Sequence, residues 1–316
     1  MRALVQTAPR TLELRDVPAP DTDIVTVAHC GICGSDMHAW AGHDARRPTP
    51  LTLGHEVAGH DATGQAVTIN PLLSCGRCRY CLEGRDNLCP DRAILSMPPR
   101  EGGFAEAVSS PAANNVPVPD NVPLQAAALA EPFACGWHAI RLSMAIRPLG
   151  ETLVLGGGAI GLGAALGLMA HGAERITLVE PNPARADRLR GIDGIDVAPE
   201  PQAADTIIDG VGIDATRAAS FAHVRPGGVI AHIGLGGGSG GFDPRYATLQ
   251  EVTWFGTYTY TAEDFRETAQ AIFDGRLAVT AHLDRLIDER PLTDGAAAFD
   301  ALAAGQVAAP KVILTP

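Results

Sequence analysis

The run Leu153-Val154-Leu155-Gly156-Gly157-Gly158-Ala159-Ile160-Gly161 restricts this chain more than any other stretch of it. A short apolar run that ends in glycines reads as a buried strand, and the uncharged residues through Met169 read as a helix. The G-x-G-x-x-G spacing between them gives each glycine a task. Gly156 allows the tight turn, Gly158 lets the backbone approach a pyrophosphate, and Gly161 allows close helix–strand contact, with Ala159 and Ile160 opening the helix. An acidic residue is then expected at the end of the next strand, where it takes the ribose hydroxyls. Glu180 closes Ile176-Thr177-Leu178-Val179 and fills that place. A carboxylate there repels a 2′-phosphate and so favours NAD over NADP. Arg185, one turn into the following helix, flanks the adenosine or neutralises Glu180. The alternative is a plain strand–helix turn with no ligand.

The alternation continues beyond this unit. Strand-like Thr206–Asp209 and Val229–Ile233 follow, with helical runs at 185–190 and 216–224. Alternation of this kind predicts an α/β fold with a doubly wound parallel sheet. Before about residue 120 the texture differs: Leu12–Val17 alternates, and Ile24–Ala28 and Ala66–Ile69 are β-like, all broken by Gly and Pro. That pattern predicts a compact β domain. Ala-rich helical runs at 125–130 and 137–144 join the two halves. The tail carries helical runs at 262–273 and 292–302 and ends in a strand at 311–314.

At 316 residues the chain has room for two domains. Its 46% hydrophobic and 19% charged content supports a packed core. The net charge of −12 argues against nucleic acid and anionic membranes, and Lys311 is the only lysine among the 24 basic residues. The N-terminus turns polar too early for a signal peptide. Leu153–Ala170 is uncharged but carries six glycines and is short for a span of about 20 residues. The expectation is a cytoplasmic chain. Seven cysteines without a secretion signal then point to metal or catalysis rather than disulfides.

Cys75, Cys78, Cys81 and Cys89 form a C-x-x-C-x-x-C-x7-C array. Four thiolates at such spacing surround one tetrahedral metal and leave no open position, which is a structural site. Iron–sulfur ligation uses similar spacing and is the alternative. A second set is scattered: Cys33 in Cys33-Gly34-Ser35-Asp36-x-His38, His55 and Glu56 in Gly54-His55-Glu56-x-x-Gly59, and Glu131. Cys, His and carboxylate together suit an open zinc site with a position left for water or substrate. Singly, each of these residues reads as structural.

With those motifs in order, together with Gly102-Gly103-Phe104-Ala105-Glu106 and Ala130-Glu131-Pro132, the chain resembles the zinc-dependent medium-chain dehydrogenases, in particular the sorbitol/polyol dehydrogenase branch. The resemblance implies a GroES-like β-barrel catalytic domain at 1–132 and 259–316, interrupted by a Rossmann NAD-binding domain at 133–258. It implies one catalytic zinc on Cys33 and His55, with Glu56 and Glu131 as ligands or as neighbours of the ion, and one structural zinc on the four cysteines. Ser35 and His38 match a proton relay. For the cofactor, Ile160, Glu180, Arg185, Ile233, Gly234, Leu235, Thr257 and Tyr258 match contact positions, and Lys311 matches a basic residue on the pyrophosphate. Trp40 and Phe104 match an aromatic wall of the substrate pocket.

The chemistry so implied is oxidation of a secondary alcohol of a polyol, sugar or cyclitol. Zinc acts as the Lewis acid, the proton leaves through Ser35 and His38, and hydride passes to NAD. An amino alcohol such as threonine, a simple secondary alcohol, and an NAD(H)-binding relative without turnover are the other readings, and a homodimer or homotetramer is expected. The chain departs from the family at Gly64-Gln65-Ala66-Val67 and in short connections at 59–65 and 190–204. Cys30 reads as core packing, and Cys135 either faces the nicotinamide or fills space.

Overall fold

The computed structural model describes residues 1–316, and two sheets organise them. One has six strands, all parallel, in the order Asp196–Ala198, Arg175–Val179, Glu151–Leu155, Ala204–Asp209, Val224–His232, Thr253–Gly256. The chain starts at the centre and runs to one edge, then crosses over and runs to the other. This is the doubly wound order, with its crevice where the two directions part, beside Gly156. Leu153, Val154 and Leu155 are buried because helices cover both faces of the sheet.

Glycines set how closely those helices approach. A Cβ on Gly161 would lie 1.8 Å from the Gly156 carbonyl oxygen, so only glycine fits there. A Cβ on Gly136 would lie 2.7 Å from the Ala164 nitrogen, and this glycine lets helix Ala130–Met144 pack directly on helix Ala159–Ala170.

The second sheet has seven strands. Along it run Asn115–Pro117, Ala66–Ile69, Glu56–Asp61, Ile24–Gly31, Lys311–Thr315 and Ile287–Pro291, with Ala107–Ser109 also paired to Ile24–Gly31. The last strand of the chain therefore returns to the N-terminal part, in the register Ile313↔Gly31 and Leu314↔Cys30. Its core includes Leu4, Cys30, Leu53, Val57 and Leu314, so Cys30 is packing, as expected. Helix Ala130–Met144 runs unbroken from this half into the other and contacts helix Ala262–Phe273. No helix is long and apolar enough to cross a membrane.

Candidate active site

The pairing of strands Ile24–Gly31 and Glu56–Asp61 builds the centre. Gly31 faces Glu56 across the ladder, so Cys33, two residues past one strand, and His55, one residue before the other, emerge at the same sheet end. Cys33 is the N-cap of helix Gly34–Trp40, and Asp36 in its first turn is fully buried. One Asp36 oxygen accepts the Cys33 N–H at 3.0 Å. The other accepts the Gly54 N–H at 3.2 Å and lies 3.5 Å from His55 Nδ1. Asp36 thus ties the two segments together and orients the imidazole, as a carboxylate behind a metal-binding histidine does.

The ligand atoms of Cys33, His55 and Glu56 lie within 4.8 Å of one another. Glu56 Oε1 accepts from Lys311 Nζ at 2.6 Å, whereas its Oε2 is buried with no hydrogen-bond partner. A Cβ on Gly31 would lie 1.9 Å from that oxygen, so the glycine makes room for the carboxylate. An orphaned buried oxygen beside a thiol and an imidazole is costly unless something positive binds it. The S, N and O donors suit zinc. Burial works to lower the His55 pKa, but the charge and hydrogen bond of Asp36, with Cys33, outweigh it and raise it well above the ordinary value.

Glu131 stands in the first turn of helix Ala130–Met144, outside that three-residue cluster. Its Oε1 accepts the Tyr260 hydroxyl at 2.6 Å. Burial pushes its carboxyl pKa up, and His55, Glu56 and Lys311 are its charged neighbours. Cys135, one turn further along, packs against the hydrophobic core, and its thiol pKa is raised well above the usual range by burial and then by the charges of Glu131, Cys33 and Glu56. Ser35 and His38 share helix Gly34–Trp40 one turn apart, Ser35 half-buried and His38 exposed, and no side-chain hydrogen bond joins them.

Three expected contacts are corrected by packing. The Lys311 ammonium is buried on Glu56 and on the Ile32 carbonyl at 2.9 Å, so it is committed to the metal-side cluster rather than to a pyrophosphate. Phe104 has no exposed surface and meets Phe299 edge-on at 5.9 Å. Trp40 is 4% exposed and packs on the same Phe299 at 6.0 Å. Both aromatics are core, and neither lines a substrate pocket.

At the parallel sheet the glycine turn has the expected form. Gly156 has φ +95°, and nothing lies within 4 Å of a Cβ placed on Gly158, the N-cap of helix Ala159–Ala170. The backbone there is open to a ligand. Glu180 accepts the Gly157 N–H at 2.9 Å and the Asn182 N–H at 2.7 Å, with Arg185 at 3.5 Å. Arg185 also reaches the Val307 carbonyl at 3.1 Å. Ile233, Gly234 and Leu235 follow the end of strand Val224–His232, with Leu235 76% exposed. Thr257 follows strand Thr253–Gly256 and bonds back to the His232 carbonyl at 2.9 Å. Tyr258 is turned elsewhere: its ring lies under Arg92 at 4.9 Å, against the four-cysteine loop.

Cys75, Cys78, Cys81 and Cys89 converge, with their sulfurs within 4.8 Å of one another and Cys78 Sγ 3.5 Å from Cys81 Sγ. The Cys78 N–H points at Cys75 Sγ (3.3 Å) and the Cys75 N–H at Cys89 Sγ (3.4 Å), an arrangement that favours thiolates. All seven cysteines are free of disulfides. Four converging sulfurs with no oxygen or nitrogen donor suit a closed, structural zinc site.

Sequence reasoning missed Asp36 and Tyr260. Asp36 was visible inside Cys33-Gly34-Ser35-Asp36, where a carboxylate three residues after a cysteine can cap the helix that the cysteine begins. Tyr260 is separated from Glu131 by 129 residues and had no local signal.

The comparisons agree with this geometry. Residues 19–120 match the family described as alcohol dehydrogenase GroES-like domain, and residues 159–274 match the zinc-binding dehydrogenase family. The L-galactonate-5-dehydrogenase of Escherichia coli (strain K12) is 33% identical over 305 residues, with 88% of each chain covered. The sorbitol dehydrogenase of Bacillus subtilis (strain 168) is 30% identical over 74% of this chain and 75% of its own. The crystal structure of L-idonate 5-dehydrogenase from Escherichia coli covers all of this chain and 98% of its own, with a TM-score of 0.85 at 24% identity, and shows the fold alone. The two sheets and the Cys-His-Glu cluster thus define a two-domain metal-dependent dehydrogenase. The chain belongs to the zinc-binding alcohol dehydrogenases with a GroES-like domain.

Proposed function

We propose that this chain oxidises a secondary alcohol of a polyol, sugar or sugar acid with NAD. Residues 1–132 and 259–316 carry the metal side and residues 133–258 the cofactor side. The observation that carries the reading is the cluster of half-buried Cys33 with buried His55 and Glu56, whose second Glu56 oxygen has no partner. The relatives named for L-galactonate and sorbitol support the substrate class.

A zinc ion on Cys33 and His55 would supply Lewis acidity toward a substrate hydroxyl, and a nicotinamide on the Gly156 turn would accept hydride. The rest falls to the chain. Asp36 holds the imidazole and the Cys33 backbone in one arrangement. Lys311 balances Glu56 while leaving its second oxygen free. Glu131, kept rigid by Tyr260, is placed to accept a hydrogen bond from a further substrate hydroxyl. Ser35 carries the proton from the interior to exposed His38, which passes it to water. Gly158 and the helix behind it receive the pyrophosphate, and Glu180 the ribose.

The seven free thiols fit a reducing compartment such as the cytoplasm. The four-cysteine site is proposed to hold a structural zinc.

The test is NADH formation by zinc-loaded protein across polyols, sugar acids, cyclitols, threonine and simple secondary alcohols. Turnover with a polyol or sugar acid is expected. Cys33→Ser should abolish that turnover, falling at least about a thousandfold, while NADH still binds. Retained turnover in that variant would sink the reading.

A further inference from the structure

The four-cysteine loop reaches across the molecule with residues that sit within or just past the cysteine array. Asn87, 2% exposed, donates its side-chain N–H to the Tyr258 carbonyl at 2.8 Å. Asp86 accepts the Ala262 N–H on its two oxygens, at 3.1 and 3.2 Å, at the start of helix Ala262–Phe273. Arg92 covers the Tyr258 ring at 4.9 Å while its guanidinium donates to the Cys89 carbonyl at 2.8 Å. Residues 258–262 are therefore gripped at both ends by the loop. From the middle of this strap Tyr260, 1% exposed, extends to Glu131. Between Tyr258 and Tyr260, Thr259 has φ +47°, a conformation that a β-branched residue keeps only when its surroundings impose it.

The turn Asp86–Leu88 lies between Cys81 and Cys89, and the Cys89 N–H bonds to the Asp86 carbonyl at 3.1 Å. Fixing both cysteines in one cluster fixes that turn. We propose that the four-cysteine loop is a positioning device for the active-site carboxylate: Asn87, Asp86 and Arg92 hold the 258–262 strap so that the Tyr260 hydroxyl fixes Glu131 beside the Cys33–His55–Glu56 cluster. The inference rests on the reading of Glu131 as a substrate-facing group. Asn87 and Tyr260 are then positioning residues. A loop serving stability alone would not need its buried asparagine and its aspartate directed at the segment that carries Tyr260.

The test is a double-mutant cycle with amide exchange measured on the same full-length, zinc-loaded variants. Tyr260→Phe should lower kcat by about tenfold or more, with KM changed less than about threefold, since the buried hydrogen bond that fixes Glu131 is lost. Asn87→Ala should lower kcat by about three- to tenfold in the parent, and by less than about 1.5-fold when Tyr260 is already Phe. In Asn87→Ala, exchange of residues 257–262 and 129–134 should rise about tenfold, while the strand Arg2–Ala8 is unchanged. Independent, multiplying effects on kcat, or unchanged exchange at 257–262 or 129–134, would overturn the device. If the parent turns over no alcohol, the proposed activity fails instead, and the exchange pattern alone then decides whether loop, strap and Glu131 are coupled.

Discussion

Glu180 performs two tasks with one carboxylate. Its oxygens hold the Gly157 and Asn182 amides, which shapes the turn, and in the proposed NAD reading its charge disfavours a 2′-phosphate. Replacing it with alanine removes the repulsion of a 2′-phosphate and leaves Arg185 without its acidic neighbour. Glu180→Ala should therefore shift the ratio of kcat/KM for NADP over NAD upward by at least about thirtyfold, on the scale of discrimination that charge pairs give. Initial rates with both cofactors check this, and equal use of the two by the parent would remove the assignment.

Asp264 shows what a carboxylate does when every partner is in place. It is fully buried, and accepts from His138 at 2.7 Å, from Arg141 at 2.6 and 3.0 Å, and from Thr261 at 2.6 Å. Burial works to raise its pKa, but the bonds from His138, Arg141 and Thr261 outweigh that and hold it far below the usual carboxylate range. A group whose folded pKa is depressed stabilises the fold above its unfolded pKa of about 3.9, and that stability drains away as pH falls through the folded value. Thermal stability should thus decline from about pH 4 downward. Asp264→Asn should cost on the order of 3 kcal/mol at neutral pH and flatten the acid limb, as read by calorimetry from pH 2 to 7.

At the scale of elements, the patterned segments were the legible ones. Ala66–Ile69, Arg175–Val179 and Ala262–Phe273 lie where periodicity put them, because each has a single apolar face or an apolar run with clear stops. Helix Gly34–Trp40 was not read, since Gly34, Ser35 and Asp36 are poor helix formers. It exists because Asp36 reaches back to the Cys33 N–H and so caps its own first turn. Strand Ile287–Pro291 is rich in charge and has no alternation. It forms by running alongside Lys311–Thr315, a pairing that only the folded chain reveals.

The site divides the same way. Cysteines at short spacing declared themselves through their chemistry, so the four-cysteine array was read directly, whereas the scattered Cys33 and His55 were paired through the family resemblance. Packing did not declare itself. Trp40 and Phe104 meet Phe299, which is more than a hundred residues away in sequence, and no local pattern could show that these rings point into the core. Lys311 was assigned to the cofactor through the family resemblance, which places a basic residue on the pyrophosphate at that position. The strand register that sets Ile313 opposite Gly31, and Gly31 opposite Glu56, puts it on Glu56 instead.

The whole molecule leaves one sheet edge open. Strand Thr253–Gly256 has a neighbour on one side only, and its other backbone edge lacks a partner within the chain. Charged residues commonly guard such edges against unwanted pairing, yet this strand reads Thr-Trp-Phe-Gly. Around it Trp254 is 36% exposed, Phe242 48% and Leu249 63%, an apolar concentration on a chain whose net charge of −12 otherwise favours solvent. The geometry suits a second copy of the same chain. Two such edges related by a twofold axis would pair antiparallel and extend the six-stranded sheet across both protomers. The expected homodimer would form across this edge. Trp254→Lys places a charge on the edge without touching any residue of the metal cluster or the glycine turn. Sedimentation velocity at micromolar concentration should show the parent as a dimer or tetramer and the variant dissociating at least about a hundredfold more readily. A parent that sediments as a monomer, or a variant that associates as tightly as the parent, would mean that this edge is not the interface.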